Sequence, residues 1–417
     1  METTRTWRWV VGIDAGSEAH QVCLLDAAGG IHGERKVAHS GTALMELGSW
    51  LEVQAGGEVD QVAVAIEVPH GPVVETLLER GFAVYALNPK QLDRFRDRYS
   101  VAGAKDDRRD AFVFAAALRT DPGRFRRLVP EAAEIIELRA WSRLHDELQQ
   151  ERGRLGNRLR AQLWRYYPQA LEVTDDVAAP WFLELLALGP TPAAAGRLRR
   201  GRLAALLARH RIRRLEAATV LARLQAPAVH VAPGTVAGAA AVVGVLRAQL
   251  RVVNEQLAAC EQHLDRGCAA LSAAAETDPG QRGEQRDAVI LRSLPGVGRI
   301  VLATLLAEAP EPLRARDYHR LRLLSGAAPV TKQSGKYRRV EMRRACQPRL
   351  RQALYHWSRT AMQSDPATQR AYAALRARGH SHPRALRSIG DRLLAVACAM
   401  LRTGTLYDPH SRGARAA

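Results

Sequence analysis

Four carboxylate side chains stand at positions where a metal ion could be held. Asp14 ends the apolar run RWVVGID, and Glu67 ends the run QVAVAIE. Asp107 and Asp110 are three residues apart where a helical pattern begins, which puts both on one face of a helix. Clustered carboxylates repel each other unless a hard cation neutralises them, and Mg²⁺ prefers oxygen ligands. The pattern therefore predicts a site for two Mg²⁺ ions, which in phosphoryl transfer stabilise the entering and the leaving oxygens.

Each of these carboxylates also has an ordinary structural explanation. An Asp after a strand is commonly a turn residue, and Asp106 or Asp107 can cap the helix that follows. Glu67 is harder to explain in this way, because an unpaired charge directly after VAVAI would be costly. Either Asp106 or Asp107 could be the metal ligand, and the three-residue step to Asp110 favours Asp107. Together the four positions favour a metal site.

A second group of candidate residues surrounds one serine in the basic segment VTKQSGKYRRV. Ser334 precedes Gly335, and most Ser-Gly pairs are turn residues. A lone serine is a poor nucleophile that needs a base, a lowered pKa or a nearby metal. His319 and His356 could supply the base only through the fold. If Ser334 attacks a phosphate, neighbouring basic side chains would neutralise its charge: Lys332, Lys336, Arg338 and Arg339.

Further basic and glycine-rich positions are typical of nucleic-acid contact. SLPGVGRIVLATLLAE places Gly296 and Gly298 before an apolar helix, where the backbone and the helix N–H groups can approach a phosphate. This is a helix-hairpin-helix signature, which contacts the DNA backbone without reading sequence. A plain helix–loop–helix turn is the alternative. Lys105, Arg343 and Arg344 are further candidate nucleic-acid contacts.

The composition indicates a polyanionic partner. The 417-residue chain has a formal net charge of +18, and nucleic acid is the commonest partner of so basic a protein. Residues 311–360 contain 13 Lys or Arg against 3 Asp or Glu. Only five of the 61 basic residues are lysine, and three of those five lie inside the motifs described above.

The cysteines and the apolar runs exclude other classes of protein. Five scattered cysteines without a CxxC pair argue against a zinc site and a disulfide framework. The first residues lack the apolar stretch of a signal peptide, and no run of about 18 apolar residues predicts a membrane span. The expectation from these features is a protein of the reducing cytoplasm.

The elements that must position these residues divide the chain into three predicted domains. Residues 1–128 show three strands, a helix, a strand, a helix and a strand before further helices, which predicts a mixed α/β sheet. Residues 129–284 contain two long helical patterns, and the second carries a heptad seam from Leu246 to Leu264. The seam fits an intramolecular antiparallel hairpin or a dimerisation arm, and the heptads do not choose between them. Residues 285–417 are predicted to be mostly helical.

The ordered motifs VVGID, AIEVPHGP, NPKQLDRFRDRYSVAGAKDDRRDA, SLPGVGRIVLATLLAE and LSGAAPVTKQSG resemble one family. It is the family of insertion-sequence transposases with an N-terminal RuvC-like DEDD domain and a C-terminal serine domain, some of which are guided by a bridge RNA. The resemblance implies an RNase H-like α/β domain, a coiled-coil arm and a mostly helical serine domain with a helix-hairpin-helix.

The resemblance also implies an activity. Ser334 would attack a DNA phosphate to form a phosphoserine, and the four carboxylates would hold Mg²⁺. The partners would be double-stranded DNA, a guide RNA and further copies of the chain, because the two halves of the site come from different protomers in the family. The chain departs from the family pattern at Asp106, where Thr is commoner, and at MRRACQPRLRQAL, which lacks the usual Lys-x-Gly.

Two other functions remain open at this level. One is a RuvC-like metal-dependent nuclease that hydrolyses branched DNA while Ser334 is inert, which leaves the serine segment and the heptad seam without a role. The other is an inactive nucleic-acid-binding relative, which a missing carboxylate would have supported. All four carboxylates are present, so a DNA transposase or recombinase is the preferred interpretation.

Overall fold

The computed structural model describes residues 7–88, 92, 95, 106–277, 283–335 and 337–408, with the backbone alone for 272–277 and 283–286. The chain divides into two compact units, residues 1–132 and 133–417. The second unit contains both the predicted helical arm and the predicted C-terminal domain. The division into domains 1–128, 129–284 and 285–417 stays a prediction.

The first unit is built on a six-stranded mixed sheet. Its strands are β1 (Trp9–Ala15), β2 (Ala19–Asp26), β3 (Ile31–Ala38), β4 (Val62–Ile66), β5 (Ala83–Ala86) and β6 (Arg126–Arg127), in the order β3-β2-β1-β4-β5-β6. The β1–β4 and β4–β5 pairs are parallel, and the other pairs are antiparallel. The predicted mixed α/β fold is confirmed. The sequence analysis missed β6, because two arginines carry no strand signal.

The sheet is covered by α1 (Gly41–Gln54), α2 (Pro72–Glu79) and α3 (Asp107–Thr120), with 3₁₀ turns at Val59–Gln61 and Pro122–Arg124. The sheet face under α1 and α2 carries large aliphatic side chains such as Val11, Val64 and Ile66. The face under α3 carries small residues, including Ala63, Ala65 and Ala83. Because side chains alternate between the two faces of a strand, each strand contributes to both layers.

Gly12 allows α3 to approach β1 closely. A Cβ at Gly12 would overlap the carbonyl oxygen of Ala111 and lie 2.6 Å from the backbone nitrogen of Ala115. Only a residue without a side chain fits there. The contact places the first turns of α3 directly over the central strand.

The second unit begins with two long helices, α4 (Ala133–Tyr166) and α9 (Pro233–Thr277). Between them lie α5 (Pro180–Leu188), α6 (Pro192–Ala195), α7 (Arg200–Arg209) and α8 (Ala217–Leu224), with a 3₁₀ turn at Pro168–Glu172. Position 138 of α4 lies by position 267 of α9, and Arg152 Nε donates to Asn254 Oδ1 at 3.0 Å. The numbers rise on one helix as they fall on the other, so α4 and α9 form an antiparallel hairpin.

The predicted heptad seam is buried inside the second unit. Its members are all at most 8% exposed: Leu246, Leu250, Val253, Leu257, Cys260 and Leu264. Cys260 Sγ contacts the carbonyl oxygen of Trp141 on α4. The seam is therefore occupied by the chain's own helix, as the hairpin alternative predicted. Residues 233–271 of α9 are also long and apolar enough to cross a membrane. The core helix of a soluble protein can have the same length and composition.

The rest of the second unit is mostly helical. Its elements are α10 (Gly283–Ser293), α11 (Arg299–Glu308), α12 (Pro310–Arg314), α13 (Tyr318–Ser325), β7 (Val330–Ser334), β8 (Tyr337–Glu341), α14 (Pro348–Ser364), α15 (Pro366–Ala377) and α16 (His382–Thr403). Trp357 of α14 is fully buried at the centre of this region. Gly390 of α16 packs against Leu354 and Ser358 of α14, where a Cβ would lie 2.8 Å from both side chains.

Candidate active site and nucleic-acid interface

Asp14 and Glu67 lie side by side at the same end of the sheet. In the parallel β1–β4 pair, Ile13 is opposite Ile66, so each carboxylate follows its strand's last paired position. Neighbouring strands are about 4.8 Å apart. Gly12 and Ala65 face α3, and Asp14 and Glu67 come two residues later, so alternation puts both carboxylates on that face.

The packing of α3 brings a third carboxylate to this face. Ala111, which contacts Gly12, directly follows Asp110, and Asp110 is only 8% exposed. Asp107 is the first residue of α3 and is exposed. Asp106 caps the helix, because its carboxylate accepts a hydrogen bond from the Arg108 backbone N–H at 3.2 Å. The capping bond occupies Asp106 and leaves Asp107 as the better ligand candidate.

The carboxylates suit a divalent cation in chemistry, but they are not gathered around one point. Oxygen ligands are what Mg²⁺ prefers, and Asp14, Glu67 and Asp110 belong to one face of the sheet. Within residues 7–88 and 106–277 and the other described ranges, no group of three or more His, Cys, Asp and Glu side chains could hold a metal ion. Both the metal site and the identity of the ion stay predictions.

An ion pair that the sequence analysis missed fixes the start of α3. Glu34 of β3 accepts a 2.7 Å hydrogen bond from Arg108 Nε and a second from Arg108 Nη2. The Arg108 guanidinium lowers the pKa of Glu34 below its usual value. Arg108 stands between Asp107 and Asp110, so the ion pair orients the helical turn that carries both. The partners are 74 positions apart, and no local pattern links them.

Ser334 lies at the tip of an exposed two-stranded ribbon formed by β7 and β8. The register pairs Ser334 with Tyr337 and Lys332 with Arg339. Directly paired residues share a face, so these four side chains lie on one face of the ribbon. Gln333 pairs with Arg338, which places Arg338 on the opposite face. Lys336, in the turn, lies outside the described residues, as does Lys105.

The basic side chains beside Ser334 are held by a carboxylate of the chain itself. Glu341 lies 3.1 Å from Lys332 Nζ and 3.1 Å from Arg339 Nε. The hydrogen bond from Lys332, with the charge of that lysine and of Arg339, lowers the pKa of Glu341. Glu341 therefore occupies the position where an anion would meet these two cations.

The described contacts supply no base for Ser334. His356 Nε2 bonds to the Gln352 side chain at 3.2 Å, and the His319 ring lies 5.7 Å from the Tyr318 ring. Neither histidine has a hydrogen bond to Ser334 among the described residues. The backbone that follows the ribbon is held by a side chain of α14. Arg351 Nη2 donates to the carbonyl oxygens of Arg343 and Arg344 at 2.7 and 3.3 Å.

The two glycines of the predicted helix-hairpin-helix differ in their surroundings. Gly296 has a φ of +79°, and a Cβ there would lie 2.5 Å from the backbone nitrogen of Ala361. Trp357 Nε1 donates to the Pro295 carbonyl oxygen at 2.9 Å, which fixes the same turn. Internal packing therefore explains Gly296. Gly298 directly precedes α11, and nothing lies within 4 Å of its Cβ position. A phosphate could therefore approach the backbone at Gly298, as predicted for this turn.

Comparison with known proteins gives two family models that match in order along the chain. A transposase model, DEDD_Tnp_IS110, matches residues 11–168. A model described as Transposase IS116/IS110/IS902 family matches residues 288–373. The first includes all four carboxylates, and the second includes the β7–β8 ribbon.

Three relatives are similar to the chain. The candidate transposase y4uE of Sinorhizobium fredii is 55% identical over 218 residues, which are 52% of this chain and 60% of that relative. The chain thus spans less than two thirds of y4uE. The candidate mini-circle transposase for IS117 of Streptomyces coelicolor is 29% identical over 95% of this chain and 94% of its own length. An uncharacterized 43.6 kDa protein of insertion element IS110 from the same organism is 29% identical over 95% of each chain.

Proposed function

The chain belongs to the IS116/IS110/IS902 family of transposases, and we propose that it is the recombinase that cuts and rejoins the DNA strands of its insertion sequence. The observation that carries this proposal is that Asp14 and Glu67 stand at the ends of neighbouring strands on the sheet face covered by α3, which itself carries Asp110. An RNase H-like nuclease domain would use such a face to bind the DNA strand.

Asp14, Glu67, Asp107 and Asp110 would hold two Mg²⁺ ions. When bound, these ions would offset the charge of the phosphate oxygens during phosphoryl transfer. The chain's own part is to keep the carboxylates on one face, and the Glu34–Arg108 ion pair supports this by orienting the first turn of α3. Asp106 remains the alternative to Asp107.

Ser334 would act as the nucleophile. Its hydroxyl oxygen loses its proton and bonds to the DNA phosphorus, the bond from that phosphorus to one strand breaks, and the freed strand oxygen takes up one proton in exchange. Rejoining reverses the step, because a DNA hydroxyl attacks the phosphoserine and Ser334 recovers its proton. Lys332, Arg339, Lys336 and Arg338 would neutralise the phosphate under attack. We propose that the active form also contains a guide RNA and further copies of the chain.

Covalent trapping tests the serine step. The protein is incubated with element-junction DNA, the transcript that flanks the gene and Mg²⁺, and denaturing gels with mass spectrometry then detect a protein–DNA adduct. We expect an adduct at Ser334 that Ser334→Ala abolishes. Thr331→Ala is a matched control, since it removes another exposed hydroxyl from the same ribbon on the opposite face. An adduct that persists in Ser334→Ala would contradict the proposal.

A second candidate is a hydrolytic RuvC-like nuclease, which the absence of a described base at Ser334 favours. It predicts cleavage without an adduct, at a rate that Ser334→Ala leaves unchanged. The same trapping experiment therefore separates the two functions. An inactive relative would bind DNA and give neither product.

The carboxylate role has its own test. Asp14→Asn should abolish strand cleavage while leaving most DNA binding intact, because the change removes a ligand charge and keeps the side-chain shape. Glu79→Gln, at an exposed position of α2 on the other face of the sheet, makes the same change of charge and should cleave normally. Cleavage rates and binding isotherms measured on the same preparations compare the two. Normal cleavage by Asp14→Asn would refute the metal role.

A further inference from the structure

Lys36 lies in the same row of the sheet as the carboxylates. In the antiparallel β1–β2 pair Asp14 is opposite Gln21, and in the β2–β3 pair Gln21 is opposite Lys36. Paired residues share a face, so Lys36, Gln21 and Asp14 all lie on the face covered by α3. Two strand spacings of about 4.8 Å separate the backbones of Lys36 and Asp14 by about 10 Å. The flexible four-carbon stem of lysine can cover much of that gap.

The Lys36 ammonium is available to a ligand. The residue is exposed, and among the described residues it has no ion-pair or hydrogen-bond partner. Glu34, two residues earlier on the same face, is the nearest acid along the strand and is bonded to Arg108. Arg35 belongs to the other face, where its guanidinium lies 4.5 Å from the Trp50 ring centroid.

A lysine on an edge strand also has an ordinary explanation. β3 is at the edge of the sheet, and edge strands often carry lysine that discourages pairing with another chain. Lysine is nevertheless rare in this chain, since only five of its 61 basic residues are lysine. A compact ammonium next to a carboxylate row has a specific use, because it acts as a point charge toward a phosphate.

We propose that Lys36 contacts a backbone phosphate of the DNA strand held at the carboxylate face, beside the phosphate that reacts. This rests on the proposed function, since the carboxylate face must bind DNA. Gln21 lies between Lys36 and Asp14 in the row, and among the described residues Lys36 forms no ion pair with a carboxylate. The charge of Lys36 then stabilises both the bound strand and the reaction at the neighbouring phosphate.

Salt dependence of binding tests the contact without any cleavage. Affinity of the full-length protein for a double-stranded oligonucleotide is measured by fluorescence anisotropy in EDTA at several NaCl concentrations. One lost phosphate contact lowers the slope of log affinity against log salt by about 0.9. We expect this loss in Lys36→Ala, a normal slope in Lys36→Arg, and a normal slope in Arg35→Ala, whose guanidinium is on the other face. An unchanged slope in Lys36→Ala overturns the proposal and leaves an edge-protecting charge only.

Cleavage rates then separate this proposal from the proposed function. With saturating element-junction DNA, the transcript that flanks the gene and Mg²⁺, Lys36→Ala should cleave about 10²-fold more slowly, because the ammonium stabilises the developing charge. Arg35→Ala should cleave normally. If the wild-type protein does not cleave, the proposed function fails, while the salt slopes still decide whether Lys36 binds phosphate. Equal melting temperatures for both variants exclude misfolding as the cause of a changed slope.

Discussion

Glu341 shows how one side chain can compete with DNA. It holds Lys332 and Arg339 on the face of the ribbon that carries Ser334. Ion pairs between exposed side chains are weak and readily exchanged. A DNA phosphate can therefore replace the Glu341 carboxylate between the two cations, and Ser334 would then be next to that phosphate.

Glu341→Gln should bind DNA several-fold more tightly than the wild-type protein, because the competing carboxylate is gone. The control Glu255→Gln makes the same change of charge beside Arg251 in α9 and should have a smaller effect. Affinities measured at equal salt compare them. Weaker binding by Glu341→Gln would mean that the carboxylate orders the ribbon for DNA instead of competing with it.

The pH dependence of this effect has a definite sign. Since Lys332 lowers the pKa of Glu341, the carboxylate stays ionised at neutral pH and is neutralised only as the pH falls through that lowered value. The advantage of Glu341→Gln over wild type should therefore be full at neutral pH and disappear on strong acidification.

The contact between β1 and α3 determines where Asp110 lies. Gly12→Ala should destabilise the first unit by about 1–3 kcal/mol, since the new methyl group meets helix backbone that cannot move away on its own. Gly123→Ala is the control, because a Cβ there meets nothing within 4 Å. Urea denaturation followed by circular dichroism measures both. Equal midpoints for Gly12→Ala and wild type would show that α3 does not pack as described.

The α4–α9 hairpin depends on the buried heptad seam. Leu250 is fully buried while Val245 on the same helix is 60% exposed. Leu250→Ala should cost about 2–5 kcal/mol of unfolding free energy, and Val245→Ala about 0.5 or less. The loss caused by Leu250→Ala should be the same at low and high protein concentration, because the seam packs within one chain. A loss that changes with protein concentration would instead indicate that copies share the seam.

Oligomerisation is the main question for the whole molecule. If carboxylates and serine from different copies act together, as the family resemblance implies, two inactive variants can complement each other. A mixture of Asp14→Asn and Ser334→Ala should regain part of the wild-type strand transfer, while each variant alone stays inactive. Strand-transfer products on sequencing gels give the measurement. No recovery in the mixture, with both variants folded, would contradict a shared site.

Charge acts at the same scale. The net charge of +18 attracts DNA and RNA alike, and nonspecific attraction falls steeply with salt. Comparisons between variants are therefore informative only at matched ionic strength.

The order of strands and helices in the first unit followed from local patterns. Strands such as Val62–Ile66 are continuous apolar runs, and the α3 pattern begins at an acidic cap. The positions of Asp14 and Glu67 at strand ends followed from the same patterns. Such features are visible in a sequence because neighbouring residues alone decide them.

Which distant residues meet depends on tertiary packing. Glu34 reaches Arg108 because β3 and α3 pack on one face, and Gly296 is a glycine because Ala361 lies against it. The heptad seam was compatible with packing against a partner chain or against this chain's own helix. In the structure it is buried against α4 of the same chain. Local sequence was enough to predict the element types and to identify the candidate carboxylates, lysines and serine. The fold decided the faces they share, because a face is set by strand register and helix packing across long loops, which no local pattern encodes.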